Sequence, residues 1–433
     1  MHILIVLLVI GELGLNSTLL IQGIAGEWGY PGRSYYDEGN KEIKQLVQKT
    51  KVENSNFYRL ENLEAYTGNE SFRYQYSGVS MFSSIRNRHS SIYLDALGFR
   101  SNGTNLNIRY ANNTLLMDSI IGMKYNLWKD QPAKYGFEAV ESSGEYTLYE
   151  NKNALPLGMM TDEKIYEPYA VQSQTALFKH LSETDQAFFD IVSVEKIGSK
   201  NVTEKYTQMN KTELVAYTPE DWSKPMEIEW KVEVPAKKQA YFSIYLTDYE
   251  KLTGSPQIEL EITEPEETSY SFGLIETGQY YNLGYSEEAR TIRFKTKYTN
   301  LKEDTVITMV KPDIALLDTE SYQYAVEQIQ EKGVDFEASG RKATAEVTLT
   351  SNQVLLTTIP YDKGWKAYVD GEQVDIPLFK EAFLTLPLKK GTHTIEFIFF
   401  PQGLMVGIGL FISCIISFFL YTIYLKQSKE RLE

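Results

Sequence analysis

The sequence predicts a membrane-anchored α+β, mainly β protein, with a large extracellular region of β-sandwich modules between two transmembrane helices. Three observations carry that expectation. The 433-residue chain is strongly apolar at both ends. Most of the stretch between alternates polar and apolar residues at the strand period of two. Few segments hold a helical period long enough to build a bundle.

The C-terminal stretch Leu404 to Tyr424 contains no charged residue. At about 1.5 Å rise per residue it is long enough to cross the hydrocarbon core of a bilayer. Lys426, Lys429 and Arg431 follow it, and cations flanking a span mark the cytoplasmic side. The N-terminal stretch Ile3 to Ile24 is also apolar, but Glu12 and Asn16 interrupt it. A carboxylate at mid-span costs roughly 3 kcal/mol on insertion scales unless it faces a polar interior. Glu12 and Asn16 are therefore expected to pack against another membrane helix. A signal peptide is the competing reading, although no Lys or Arg precedes the apolar run. Two spans and an internal C-terminus place the bulk of the chain outside the cytoplasm. The expected division is a span over 1–25, an α+β domain over 26–170, sandwich-like domains over 171–285 and 286–402, a span over 403–425 and a tail over 426–433.

Within the body, Tyr36 to Lys51 and Val171 to Leu181 carry helical spacing, as does Ser321 to Gly333, where Gly333 stands as a C-cap. Thr114 to Trp128 reads as a short helix leading into a strand. Phe57 to Glu61 and Tyr146 to Glu150 read as strands of the first domain. Met226 to Val234, Gln239 to Leu246 and Gln257 to Ile262 alternate at period two, as do Arg290 to Lys297 and Val306 to Met309. Lys342 to Leu349 and Gln353 to Ile359 continue the pattern. Asp370-Gly371 after WKAYV is a two-residue hairpin turn of the favoured kind.

Composition narrows the function. Lys+Arg number 43 against 58 Asp+Glu, a formal charge of −15, which argues against a nucleic-acid partner because no basic stripe compensates it. The mean hydropathy of −0.33 conceals the two apolar ends. One cysteine, Cys414, excludes an internal disulfide framework, and four widely spaced histidines offer no metal-ligand spacing. No metal and no cofactor is expected. Asn-x-Ser/Thr triplets such as those at Asn69 and Asn201 reflect a common residue type more than glycan acceptors, and an exported chain without disulfides fits a Gram-positive bacterium.

No nucleotide-binding, nucleophile-elbow or zinc motif is present, so candidate site residues rest on local chemistry. Arg59 and Glu61 share one face of the first strand of the body and, with Asn69, could hold a sugar or phosphate. Against this stands an ordinary surface ion pair. Ser83 and Ser84 form a polar turn nearby. Trp365 with Asp370 could provide an aromatic floor and polar rim for a glycan, although a Trp entering a hairpin is commonly core. His89 and His393 read as sheet-surface residues.

The run Ile359-Pro360-Tyr361-Asp362-Lys363-Gly364-Trp365, then Tyr368 to Gly371, Ala382 to Leu384, Gly391 to His393, and Gly403-Leu404 with Gly407 resembles the end of the YfhO family of bacterial multispanning membrane proteins. Upstream, Tyr58-Arg59, Tyr76 with Gly78, Phe82 to Ser84 and Asp118 to Tyr125 are similar to that family's exported region. The span carrying Glu12 and Asn16 resembles its last helix before that region. The resemblance implies a large glycosyltransferase of the GT-C type that moves a sugar from a polyprenyl-phosphate carrier to a surface polymer such as lipoteichoic or wall teichoic acid. It also implies that the chain corresponds to the C-terminal half of such a protein, without the multispanning part and its acidic catalytic loop. A separate chain supplying that part, the membrane and an anionic cell-surface polymer are then the expected partners, and a polyprenyl-phosphate sugar the donor. The alternative is a membrane-tethered surface binding or structural protein with no activity of its own.

Overall fold

In the computed structural model, the structure describes residues 2–28, 32–83, 88–99, 107–108, 110, 113–169, 171–273 and 279–430. The helices His2–Trp28 and Leu404–Glu430 are exposed along their apolar lengths, and both are long and apolar enough to cross a membrane. Between them lies a mainly β body, so the molecule is a membrane-anchored protein with sandwich-like modules. Glu12 and Asn16 are exposed on the first helix.

The first module is a four-stranded sheet in which Arg59–Asn62 runs parallel to Met123–Trp128, followed by Tyr146–Asn151 and Phe137–Ser143. The helical stretch expected over Tyr36 to Lys51 is two helices, Arg33–Asp37 and Asn40–Glu53, broken where Gly39 adopts φ 65°. The longer one lays Ile43, Leu46 and Val47 against Leu60, Tyr125, Leu127 and Leu148. The short helix leading to a strand is present as Leu115–Ile120 and Met123–Trp128. The Thr114 side chain caps it, accepting a hydrogen bond from the amide of Met117.

The middle module is a sandwich. Its larger sheet has the order Thr268–Gly273, Gln257–Glu264, Arg290–Thr299, Met226–Val234, Glu195–Lys200. The facing sheet has the order Gln279–Ser286, Lys238–Ile244, Asp313–Asp318, Phe189–Ser193. Alternation drives the packing: Ile228, Trp230 and Val232 are buried, while Glu229 between them is exposed. The expected boundary at 285/286 falls inside the strand Gln279–Ser286 and would divide the sandwich, because Arg290–Thr299 pairs with both Met226–Val234 and Gln257–Glu264. Period-two alternation marks a strand without marking its sheet.

The last module packs two five-stranded sheets face to face over Leu355, Leu386, Ile395 and Phe397. One of its strands, Gly158–Thr161, comes from the segment expected to lie in the first domain and pairs with Gln353–Pro360. A Cβ at Gly158 would sit 2.8 Å from the Phe336 ring and 2.9 Å from Leu355 on the paired strand, so the core of this module closes over a glycine. The turn at Asp370 (φ 54°) and Gly371 (φ 84°) joins Trp365–Val369 to Glu372–Val374 and supplies the two positive φ values of the expected hairpin. Gly333 is not a helix cap. The helix Thr319–Gln330 ends first, and Gly333 opens a strand where a Cβ would meet Pro156 at 2.6 Å.

The three modules meet at a helical hub. Helices Arg88–Leu97, Leu115–Ile120, Gln174–Ser182 and Thr319–Gln330 contribute Leu97, Leu116, Phe178 and Tyr322 to one core, with Tyr241 of the middle module and Val354 and Phe383 of the last.

Candidate functional site

At the junction of the first and last modules lies a cleft of about 470 Å³. Its walls are mostly apolar, with Phe57, Phe72, Val79, Met81, Leu94 and Phe383 prominent. Phe72 is 71% exposed at the rim, and among the described residues Arg59 is the cation that enters the lining.

Arg59 is only 8% exposed. Its Nη1 donates to the Ile121 carbonyl at 2.6 Å and to Thr358 Oγ1 at 3.0 Å, and its Nη2 donates to the Thr358 carbonyl at 2.9 Å. The acceptors are neutral, and among the described residues Arg59 makes no ion pair. Burial pulls the guanidinium down to about 10. Its charge is thus met by carbonyl and hydroxyl dipoles and by the Phe57 ring, whose centroid lies 5.0 Å away.

Glu61, two residues along the same strand, is 1% exposed. The amides of Val79 and Ser80 both donate to Oε1 at 2.5 Å, whereas buried Oε2 has no hydrogen-bond partner among the described residues. Burial pushes this carboxyl up to about 7, against the pull of the two amides. Arg59 and Glu61 are therefore not the surface ion pair that composition allowed. Each is buried and held by its own backbone partners, with Glu61 behind the 78–80 segment of the cleft wall. A Cβ at Gly78 would lie 2.8 Å from Glu61 Oε1.

Asn69 clamps the same segment from the other side. Its Nδ2 donates to the Phe82 carbonyl at 3.0 Å, and its Oδ1 accepts from the Phe82 amide at 2.8 Å. Asn69 thus fastens the strand Met81–Phe82 and shapes the rim, while Ser83 follows directly. Ser84 lies outside the described residues. The structure brings Arg59, Glu61, Asn69 and Ser83 to one region and leaves Trp365 out of the cleft lining. Trp365 packs edge-on to Phe397 and against Phe399 in the last module, because its strand pairs Trp365 with Phe399 at the edge of that core. Asp370 accepts from His393 and from the Thr394 amide, so it holds its own hairpin and forms no rim beside Trp365. His393 does lie on a sheet, whereas His89 lies on the helix Arg88–Leu97 and pairs with Glu381.

Thr358 and the Val79-Ser80 amides were not anticipated. Thr358 is 299 residues from Arg59 in sequence, and backbone donors leave no side-chain signature. A second buried group, also unanticipated, is linked to the Ser80 segment through Tyr110, whose amide donates to Ser80 Oγ at 2.9 Å. Asp118 and Lys134 form an ion pair with both side chains fully buried, and Tyr110 donates to Asp118 Oδ1 at 2.6 Å. The described residues contain no cluster of metal-ligating side chains.

The geometry joins an apolar wall to a buried cation. Such a cleft suits a ligand with an apolar body and an anionic head.

Comparison with known proteins agrees with the terminal helices. Among solved structures, a mannan-recognising carbohydrate-binding module is similar at 8% identity, covering 30% of this chain and 99% of the module with a TM-score of 0.22. A low-affinity xylan-binding module from Roseburia intestinalis is similar at 9% identity, covering 31% of this chain and 96% of that one with a TM-score of 0.22. A Bacillus subtilis (strain 168) protein described as uncharacterized protein YfhO is 23% identical over 430 residues, covering 90% of this chain and 45% of the relative. The chain thus spans a little under half the length of the curated relative it matches. The model of the family described as bacterial membrane protein YfhO matches residues 1–413, and with that match over nearly its whole length the chain belongs to the YfhO family of bacterial membrane proteins.

Proposed function

We propose that this chain is the extracellular, C-terminal half of a YfhO-type membrane protein that glycosylates cell-surface polymers such as lipoteichoic or wall teichoic acid, drawing the sugar from a polyprenyl-phosphate carrier. The observation that carries the reading is the cleft: apolar walls, an exposed Phe72 at the rim and the buried, carboxylate-free cation of Arg59. A polyprenyl phosphate has the complementary make-up, an apolar chain ending in an anion. In this reading the cleft holds and orients the carrier head, and positioning is its contribution to rate. The base that activates the acceptor belongs to a multispanning part of the family protein outside this chain. The C-terminal tail faces the cytoplasm, and Gram-positive envelopes supply the polymer.

Deletion of the locus tests this reading. Purified teichoic acid from the deletion strain is expected to lose its sugar substituents, and the intact gene is expected to restore them. Unchanged substitution in the deletion strain would remove the transferase reading and leave a tethered surface protein.

A further inference from the structure

The two apolar helices leave the body on either side of the Arg59 cleft. The C-terminal connection is short. The helix Leu404–Glu430 begins four positions after Phe400, whose amide donates to the Gly364 carbonyl at 2.8 Å. Strand pairing puts Trp365 beside Phe399 and Pro360 beside Phe383, and only the 361–364 segment separates Pro360 from Trp365. Pro360 and Phe383, both in the cleft lining, therefore stand at the end of the last module from which the C-terminal helix departs.

The N-terminal connection reaches the opposite wall of the same cleft. Tyr36, on the helix Arg33–Asp37, comes eight positions after Trp28, a reach of at most about 28 Å. The Arg73 guanidinium lies 3.7 Å from the centre of the Tyr36 ring, and it pairs with Asp37 at 3.7 Å. This fastens the connection to the helix Glu70–Tyr74, whose Phe72 lines the cleft.

Two large apolar side chains face outward between these anchors. Phe72 is exposed, as already noted, and Phe82 is 52% exposed. Asn69 ties them together: its carbonyl accepts from the Phe72 amide at 3.1 Å, and its side chain brackets the Phe82 backbone. The surroundings suit a headgroup layer. Trp28 is exposed at the end of the first apolar helix, and Arg33 and Lys363 are exposed on the two connections. Aromatic rings and long cations of this kind settle at the boundary between lipid and water.

We infer that Phe72 and Phe82 insert into the lipid surface beside the chain's own two spans, so that the mouth of the Arg59 cleft opens onto the bilayer. The occupant is fixed by continuity: the same membrane that holds both helices lies next to the face between them. This placement does not rest on the glycosylation proposed above, and its test reads no sugar transfer.

The test uses the full chain in phosphatidylcholine nanodiscs. Cys414→Ser removes the one cysteine, and Phe72→Cys, Phe82→Cys or Ser351→Cys then supplies a single site for a nitroxide spin label. Ser351 is the water-facing reference, exposed in the turn that precedes Gln353–Pro360, a strand length of roughly 25 Å from Pro360. Power saturation compares each label's contact with oxygen, which concentrates in lipid, and with a nickel chelate, which stays in water. The oxygen-to-nickel ratio at positions 72 and 82 is expected to exceed that at 351 by at least about threefold. Ratios at both positions equal to that at 351 overturn the inference. So does shielding of both labels from oxygen and nickel alike, which would mean that a second copy or another protein covers the face. Position 82 lies outside the cleft lining and decides the matter even where Phe72→Cys fails to fold.

Discussion

Lys134→Met, made with Asp118 left in place, is expected to destabilise the protein by about 3–5 kcal/mol, the typical cost of stranding one member of a buried ion pair. Both side chains are fully buried, so water cannot replace the lost partner. Burial pushes the Asp118 carboxyl up and pulls the Lys134 ammonium down, and each opposes the other's shift by attraction. Tyr110 adds a hydrogen bond to Asp118 and also reaches Asn126 Oδ1 at 3.2 Å. The single variant therefore leaves an uncompensated carboxylate between a phenol and an apolar wall. Asp118→Asn combined with Lys134→Met removes both charges and keeps an acceptor for Tyr110, so it should recover most of the loss. Denaturant midpoints of the wild-type chain and the two variants check this. A single variant that loses less than about 1 kcal/mol would show that the pair is not desolvated as described.

Glu61→Gln should change how stability depends on pH. A carboxyl held near pH 7 in the folded state and near its ordinary value when unfolded gives the folded chain no penalty where both forms are protonated, below about pH 4. The penalty grows as pH rises through the interval up to about 7 and is complete above it, at about 3 kcal/mol. The variant lacks this penalty. Its melting temperature relative to the wild-type chain is therefore expected to rise steadily between pH 5 and pH 8 and to level off beyond. Glu70, pushed upward by burial as well, adds to the upward push on Glu61, so its charge acts in the same direction. A melting-temperature difference that stays flat from pH 5 to pH 8 would mean that Glu61 ionises normally.

The β body was legible in the sequence where one face of a strand is buried and the other wet. Met226 to Val234 and Lys342 to Leu349 appear with the expected limits, because alternation records a half-buried strand directly. Module membership was not legible. Gly158–Thr161 is buried on both faces, so it carries no alternation, and its partner Gln353–Pro360 lies nearly two hundred residues on. The site was half legible. Arg59 and Glu61 stand on one strand and could be singled out locally, but their partners are backbone groups and a distant threonine, which pattern reasoning does not reach. Trp365 stayed open between the two readings because a tryptophan entering a hairpin has the same sequence neighbourhood whether its ring faces a ligand or a core.

The central claim is that the Arg59 cleft holds a polyprenyl phosphate, and the most direct measurement is retention of that lipid by the purified full chain, followed by native mass spectrometry. Ser77 is exposed and lines the cleft, with its backbone carbonyl accepting from the Leu60 amide, so Ser77→Trp fills the entrance without touching the core. The account predicts that the wild-type chain retains polyprenyl monophosphate and that Ser77→Trp and Phe72→Asp each reduce retention by about tenfold or more, with melting temperatures unchanged. Equal retention by all three proteins, or no retention by the wild-type chain, would contradict it.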